Sequence, residues 1–410
     1  MFLRGWWGSG LLVSLSAACA SATLTTGDPG APTPRERDAA RARLAHNVIV
    51  FMGDGMGPEQ LATGRVARGS ALRIDELAGP ALAITDSLTT LRLGPDTLTA
   101  TDSAASATWI ATGEQVDNDV ISQGAHGEPL ESVLERCQQA GKATGLVTTS
   151  NFFDASPAAF GAHQASRTLY EAIAEQLLTE TQPDVLMGND TWLLPDDRAH
   201  IHELAATSGY TIVRDHAALT AWDPIAEPRL LGLFDTHFLP LALGGELFTM
   251  TPALERTEDS SDPTLAQMTA RALARLAQDP EGFFLFVEDE TFDQIGHRGP
   301  LEVTWANRAL PAQVAGFDAA VSVALDWVAE HSSFDDTLVV VLADHETGGY
   351  HFDHTLGPES GDFSAYVGGT TGVHTRTPIA VYARGPGSDA IDRVASLGDA
   401  HRLLRGSLQP

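Results

Sequence analysis

Cysteine is almost missing from this chain. Its 410 residues hold two, Cys19 and Cys137, so no internal disulfide framework is available and a hydrophobic core must hold the fold. Lysine is scarcer still. Lys142 stands alone, and Lys plus Arg total 25 against 54 Asp plus Glu, a formal charge of −29. A chain this acidic is repelled by phosphate backbones, which argues against nucleic acid as a partner. Long apolar runs are also lacking: beyond the N-terminus nothing approaches the ~20 residues that a spanning helix needs, so no membrane span is expected.

What is present divides into three parts. Arg4, an apolar stretch containing Leu11 to Leu15, and Ala18-Cys19-Ala20-Ser21-Ala22 follow the order of an export signal: a charged start, a short apolar region and a small-residue cleavage site. Residues 1–22 are therefore expected to be a signal peptide that directs the chain to the periplasm or outside the cell. Cys19 permits a second reading, a lipid anchor attached after cleavage. Residues 23–45, rich in Thr, Pro, Ala and Arg, read as a linker. Residues 46–410 alternate short apolar runs with helical patterns, which predicts one α/β domain. The expected form is a three-layer αβα sandwich around a central, mostly parallel sheet, with 184–262 as a smaller inserted region beside the site. Helices are expected over Leu130 to Ala140, Leu169 to Leu178, Thr264 to Ala277 and Ala312 to His331.

Four β-branched and apolar runs end in carboxylates or histidines: Val48 to Met52 before Asp54, Gly145 to Thr149 before Asp154, Phe283 to Val287 before Glu288 and Asp293, and Leu338 to Ala343 before Asp344-His345. In open α/β sheets, ligands gather outside the carboxyl ends of the strands, so these exits are expected to converge. Asp293 and His297, four apart, share one face of a helical turn and make a chelating pair. His374 follows a Gly-Gly-Thr-Thr-Gly loop. Nitrogen with carboxylate oxygen suits Zn²⁺, whereas an all-oxygen set of Asp, Ser and Glu suits Mg²⁺. Ser103 lies in TDSAASAT, among small residues that favour a helix start and close approach of a substrate. No Gly-x-Ser-x-Gly elbow surrounds it, so a metal is the better activator of its hydroxyl.

With these residues in view, the chain resembles the alkaline phosphatase family over nearly all of 46 to 386. The matching segments are FMGDGMG, TDSAASAT, DASPAAFGAHQASR, GFFLFVED, FDQIGH, VLADHETGGY and HTRTPIAVYARGP, in that order. The resemblance implies a phosphate monoester hydrolase with two zinc ions and one magnesium. By the same resemblance Asp293, His297 and His374 hold one Zn²⁺, and Asp54, Asp344 and His345 hold the other, with Ser103 Oγ as nucleophile. Asp54, Asp154, Ser156 and Glu288 hold Mg²⁺, and Arg167 clasps the phosphate through its planar fork. The implied partners are small phosphate monoesters, with inorganic phosphate as product. Gln294 stands where family members often carry Lys or His, so product is expected to be held less firmly. Only 29 positions separate His345 from His374, too few for the large inserted subdomain that some members use at a dimer interface. A homodimer thus stays an alternative to a monomer. The runner-up enzyme is a phosphodiesterase or another phosphoryl-transfer relative with the same metals. A different class is a non-catalytic, exported phosphate- or metal-binding protein.

Overall fold

Short runs of Val, Ile and Phe pack well on a pleated surface, and in this chain they become strands. A computed structural model of the chain describes residues 44–94, 97–234, 238–243, 246–250, 261–299, 303–352, 367–368 and 371–408. The expected signal peptide 1–22, with Cys19, and the linker up to residue 43 lie outside these residues. Ala45 is buried, and its N–H donates to the Ser407 carbonyl at 2.6 Å.

Nine strands form one sheet: β1 (Asn47–Gly53), β2 (Ala78–Ala83), β3 (Ala143–Asn151), β4 (Val185–Asn189), β5 (Thr211–Val213), β6 (Leu230–Leu233), β7 (Phe283–Asp289), β8 (Thr337–Leu342) and β9 (Ile379–Arg384). Their order is β2-β9-β8-β1-β7-β3-β4-β6-β5. Every pairing from β8 across to β5 is parallel, while β9 runs antiparallel to both of its neighbours. Strands β1, β3, β7 and β8 are buried from end to end, as strands covered on both faces must be.

Two helical layers provide that cover. Helices α1 (Pro58–Arg68) and α4 (Leu265–Leu276) both pack with α6 (Val303–His331). Helices α2 (Ser103–Thr112) and α3 (Ala155–Gly161) pack together and with Val133–Gln139, and α2 also packs on Leu397–Leu408. Strand β3 touches α4 from the first group and Val133–Gln139 from the second, so the sheet lies between them. The expected sandwich around a mostly parallel sheet is therefore the observed one.

Helix α4 starts where its capping box sets it, with Thr264 and Gln267 bonding reciprocally to the first-turn backbone. Helix α6 starts at Val303 rather than Ala312 and runs through Pro311. A proline removes one N–H donor, yet packing of the helix face outweighs that loss. Its stretch Ala309–His331 has the length and apolar composition to cross a bilayer, which the expectation of no spanning run missed. In this fold it is a core helix: the Phe317 ring meets Phe51 of β1 edge-on at 6.1 Å and Phe292 at 5.7 Å.

The stretch 184–262, expected as an inserted region beside the site, contributes to the central sheet. Strands β4, β5 and β6 all come from it and extend the central sheet along one edge. Its Pro and Gly residues punctuate short strands and helices of the same α/β layering, and composition alone does not distinguish that from an insertion. Phe238–Leu243 and Glu246–Met250 form a separate two-stranded hairpin, and 251–260 lie outside the described residues.

Candidate active site

The four expected strand exits belong to β8, β1, β7 and β3, which are consecutive in the sheet. Parallel register thus delivers Asp344-His345, Asp54, Glu288 and Asp154 to one end of it. Close approach there depends on Gly55, which turns at φ 72°. A Cβ at this position would stand 2.8 Å from the Asp293 Cα, so only glycine fits. The N–H groups of Gly55 and His345 both donate to Asp344 Oδ1, at 3.0 and 2.8 Å.

Helix α5 (Thr291–Arg298) follows β7 and places Asp293 and His297 on one face. His297 Nε2 lies 3.2 Å from Asp293 Oδ2, and His374 Nε2 lies 3.2 Å from Asp293 Oδ1. Each imidazole is aimed by its other nitrogen, His297 Nδ1 at the Gly372 carbonyl (2.9 Å) and His374 Nδ1 at the Thr101 carbonyl (2.8 Å). Backbone partners of this kind leave Nε2 free to face a ligand. His345 stacks on His374 with ring centroids 3.7 Å apart, and its Nε2 is 3.1 Å from Asp344 Oδ2 and 3.6 Å from Asp54 Oδ1. Two groups emerge with donor atoms all within 4.8 Å of one another: Asp54, Asp344 and His345, and Asp293, His345 and His374. His345 belongs to both, whereas the resemblance assigns it to one.

Ser103 opens α2 behind its N-cap, Asp102, which accepts from the Ala105 N–H at 3.0 Å. The Ser103 hydroxyl is buried and lies 3.3 Å from His345 Nε2. Its place in the first turn puts the positive end of the helix dipole beside the oxygen. Arg167 donates to Asp154 Oδ1 at 3.0 Å and sits 3.6 Å from Asp102 Oδ2. Ser150 Oγ donates to Asp154 Oδ2 at 2.7 Å. Ser156, in the first turn of α3, is buried near Glu288 with its hydroxyl unpaired among the described residues, and Glu288 accepts from Thr148 Oγ1. Gln294 turns its amide to Glu290, donating at 2.6 Å.

Negative charge is in excess here. Burial, then Asp344 and Asp293, pushes the Asp54 carboxyl well above its usual range. Burial and Asp154 push Glu288 up to about 8, and burial pushes Asp344 up to about 6. Burial alone would raise Asp293 too, but His297 and His374 hold it well below the carboxylate range, and Asp293 in turn lifts His297 to about 9. Burial and His374 hold His345 well down. Burial opposes the charge on Arg167, yet Asp154, Asp102 and Asp54 keep it protonated.

Buried carboxylates with this little compensation call for cations. Asp54 Oδ1 is buried without a hydrogen-bond partner among the described residues. The donor set also fits: imidazole nitrogens with carboxylates on the His374 side suit zinc, and oxygens alone around Glu288 suit magnesium. Thr347 was not legible in any spacing. Its hydroxyl bridges Asp293 and the His345 ring, joining the two groups.

A sequence model described as alkaline phosphatase matches residues 45–360. The chain belongs to the alkaline phosphatase family. It is 32% identical over 326 residues to alkaline phosphatase 4 of Bacillus subtilis, across 77% of this chain and 64% of that protein's length. It is 31% identical over 364 residues to the alkaline phosphatase of Escherichia coli K12, across 77% of this chain and 73% of that one. Among solved structures, the cold-active alkaline phosphatase of a psychrophilic Shewanella superposes with a TM-score of 0.71 at 24% identity, covering 89% of this chain and all of that chain. At that identity the superposition speaks for the fold alone.

Proposed function

We propose that the chain is an exported alkaline phosphatase that hydrolyses phosphate monoesters through a phosphoserine on Ser103. The observation that carries this reading is the Ser103 hydroxyl, buried at a helix start and 3.3 Å from His345 inside a carboxylate and histidine cluster. Asp293, His297 and His374 would hold one Zn²⁺, and Asp54, Asp344 and His345 the other. Asp54, Asp154, Ser156 and Glu288 would hold Mg²⁺. When bound, these ions supply charge neutralisation and a lowered pKa for serine and water.

The chain's own residues do the rest. Arg167, oriented by Asp154 and Asp102, offers two parallel N–H donors to the phosphoryl oxygens. Ser103 Oγ gives up its proton and attacks phosphorus on the side opposite the leaving group, so an O–P bond forms as the ester P–O bond breaks and the departing oxygen takes up a proton from water to leave as the alcohol. The free N–H groups at the start of α2 meet the charge that develops there. Water then cleaves the phosphoserine and restores Ser103.

Hydrolysis of a chromogenic phosphate monoester beside the matching diester tests the reading. Preference for the diester would favour a phosphodiesterase, and no turnover of either by the zinc- and magnesium-loaded protein would favour a binding protein. Export on the Arg4 to Ala22 segment belongs to the same proposal. Mass spectrometry of protein from its host is expected to find a start near Cys19, Ser21 or Thr23, and an intact Met1 overturns it.

A further inference from the structure

β7 ends in Glu288 and Asp289, Glu290 follows as the N-cap of α5, and the surroundings of the three differ. Glu288 joins the cluster described above. Asp289 is fully engaged: Gln313 Nε2, the Thr291 N–H and Thr149 Oγ1 all donate to it. Glu290 is 5% exposed, and its Oε1 accepts from Gln294, but its Oε2 has no hydrogen-bond partner among the described residues. Leaving a buried carboxylate oxygen unpaired is costly. Within the strand Asp289 points to the face opposite Glu288; Glu290 is the N-cap of α5 with helical dihedrals, three residues before Asp293, so helical spacing sets it on the Asp293 side. The Glu290 N–H is clipped to Thr149 Oγ1 at 3.0 Å, which holds it beside the β3 exit that carries Asp154. Charge agrees with this placement, since after burial the neighbours that most disfavour the Glu290 anion are Asp154, Asp293 and Glu288.

We infer that Glu290 is an additional acidic ligand of the divalent cation site at Asp154 and Glu288, reached by Oε2 directly or through one of the cation's waters. No motif match assigns this residue. A small, hard cation takes oxygen donors and keeps several of its waters, so a buried carboxylate with one free oxygen meets its needs. Gln294 is the complementary half of the device: it occupies Oε1, and Oε2 is the oxygen left for a cation. This inference rests on the cation assignment proposed above.

Full-length protein stripped with a chelator and reloaded with Zn²⁺ is titrated with Mg²⁺ by calorimetry, beside Glu290→Gln and Glu290→Asp. Glu290→Gln keeps the size and the acceptor for Gln294. Both variants are expected to bind Mg²⁺ at least about tenfold more weakly, with zinc content per chain unchanged. Wild-type affinity in Glu290→Gln overturns the inference, and so does wild-type affinity in Glu290→Asp, because a distant field would survive a withdrawn oxygen. If wild type itself binds no Mg²⁺, the cation assignment fails instead. Should the variants not fold, a crystal structure of wild type with Mg²⁺ decides. Oε2 is then expected on the ion at about 2.1 Å or on one of its waters, and Oε2 bonded elsewhere overturns the inference.

Discussion

Ser103 and His345 stand 242 positions apart in the chain, yet the serine hydroxyl lies 3.3 Å from the imidazole Nε2. Helix α2 brings one and the exit of β8 brings the other. Around this contact Asp344 and Asp54 face the same nitrogen and His374 stacks on the ring, which places a hydroxyl with no general-base elbow inside the acidic cluster.

Ser103→Ala is therefore expected to lower kcat by roughly three orders of magnitude or more, the scale of losing a nucleophile. Steady-state hydrolysis of a phosphate monoester measures this. Acid quenching of the wild type with labelled substrate is expected to leave phosphate on Ser103, and a quenched protein without label would falsify the covalent step.

Arg167 is oriented by two carboxylates, with Asp154 at 3.0 Å and Asp102 at 3.6 Å. Lysine keeps the charge but loses the fork. Arg167→Lys is expected to raise KM and the inhibition constant for inorganic phosphate by about tenfold, a step of ~1.4 kcal/mol. Unchanged phosphate inhibition would show that the guanidinium faces away from substrate.

Metal-free protein is expected to lose stability as pH rises from about 5 to about 9. Glu288 sits at about 8 against an ordinary 4.5, mainly through burial and then Asp154. The folded state therefore keeps a proton that the unfolded chain has released, and stability falls across that window. His297, lifted by Asp293 to about 9 from 6.5, acts in the same direction: its pairing is complete below 6.5 and is lost as pH passes about 9. Zinc and magnesium bind the deprotonated groups, so reloaded protein is expected to show a flat or rising profile. Differential scanning calorimetry of both forms checks this, and a Tm of the stripped protein that climbs between pH 5 and 9 contradicts the assignment.

Phe317 on α6 joins the rings of Phe51 and Phe292 and so ties a helix of bilayer-spanning length to the core. Phe317→Ala is expected to cost about 3 to 5 kcal/mol. A lower urea midpoint with an unchanged slope records it, and an unshifted midpoint would mean that this packing is not formed.

Much of the site was open to reading because strand exits announce themselves. The runs before Asp54, Glu288 and Asp344 are apolar throughout, as fully buried parallel strands must be, and each stops at a charge. The i, i+4 spacing of Asp293 and His297 was equally plain, since helical period alone decides it. Edge strands were harder. β5 at the edge and β6 beside it have only three and four residues, and the polar linkers between them resemble an insertion, so these strands were not recognised as part of the sheet.

The amino-acid sequence by itself determined which residue types are available and which local elements present them: Asp54 at a strand end, Ser103 at a helix start, Asp293 with His297 on one face. Strand order is a different matter, because it depends on which hydrogen-bonding edges meet across hundreds of residues. Tertiary structure alone made β8, β1, β7 and β3 neighbours, set His345 between two carboxylate groups, gave Thr347 its bridging role, and left Glu290 buried with an oxygen unpaired while Asp289 beside it is satisfied. The physical reason is that local propensity acts over one turn or one strand, whereas burial and electrostatic coupling act through space between groups that only the folded chain brings together.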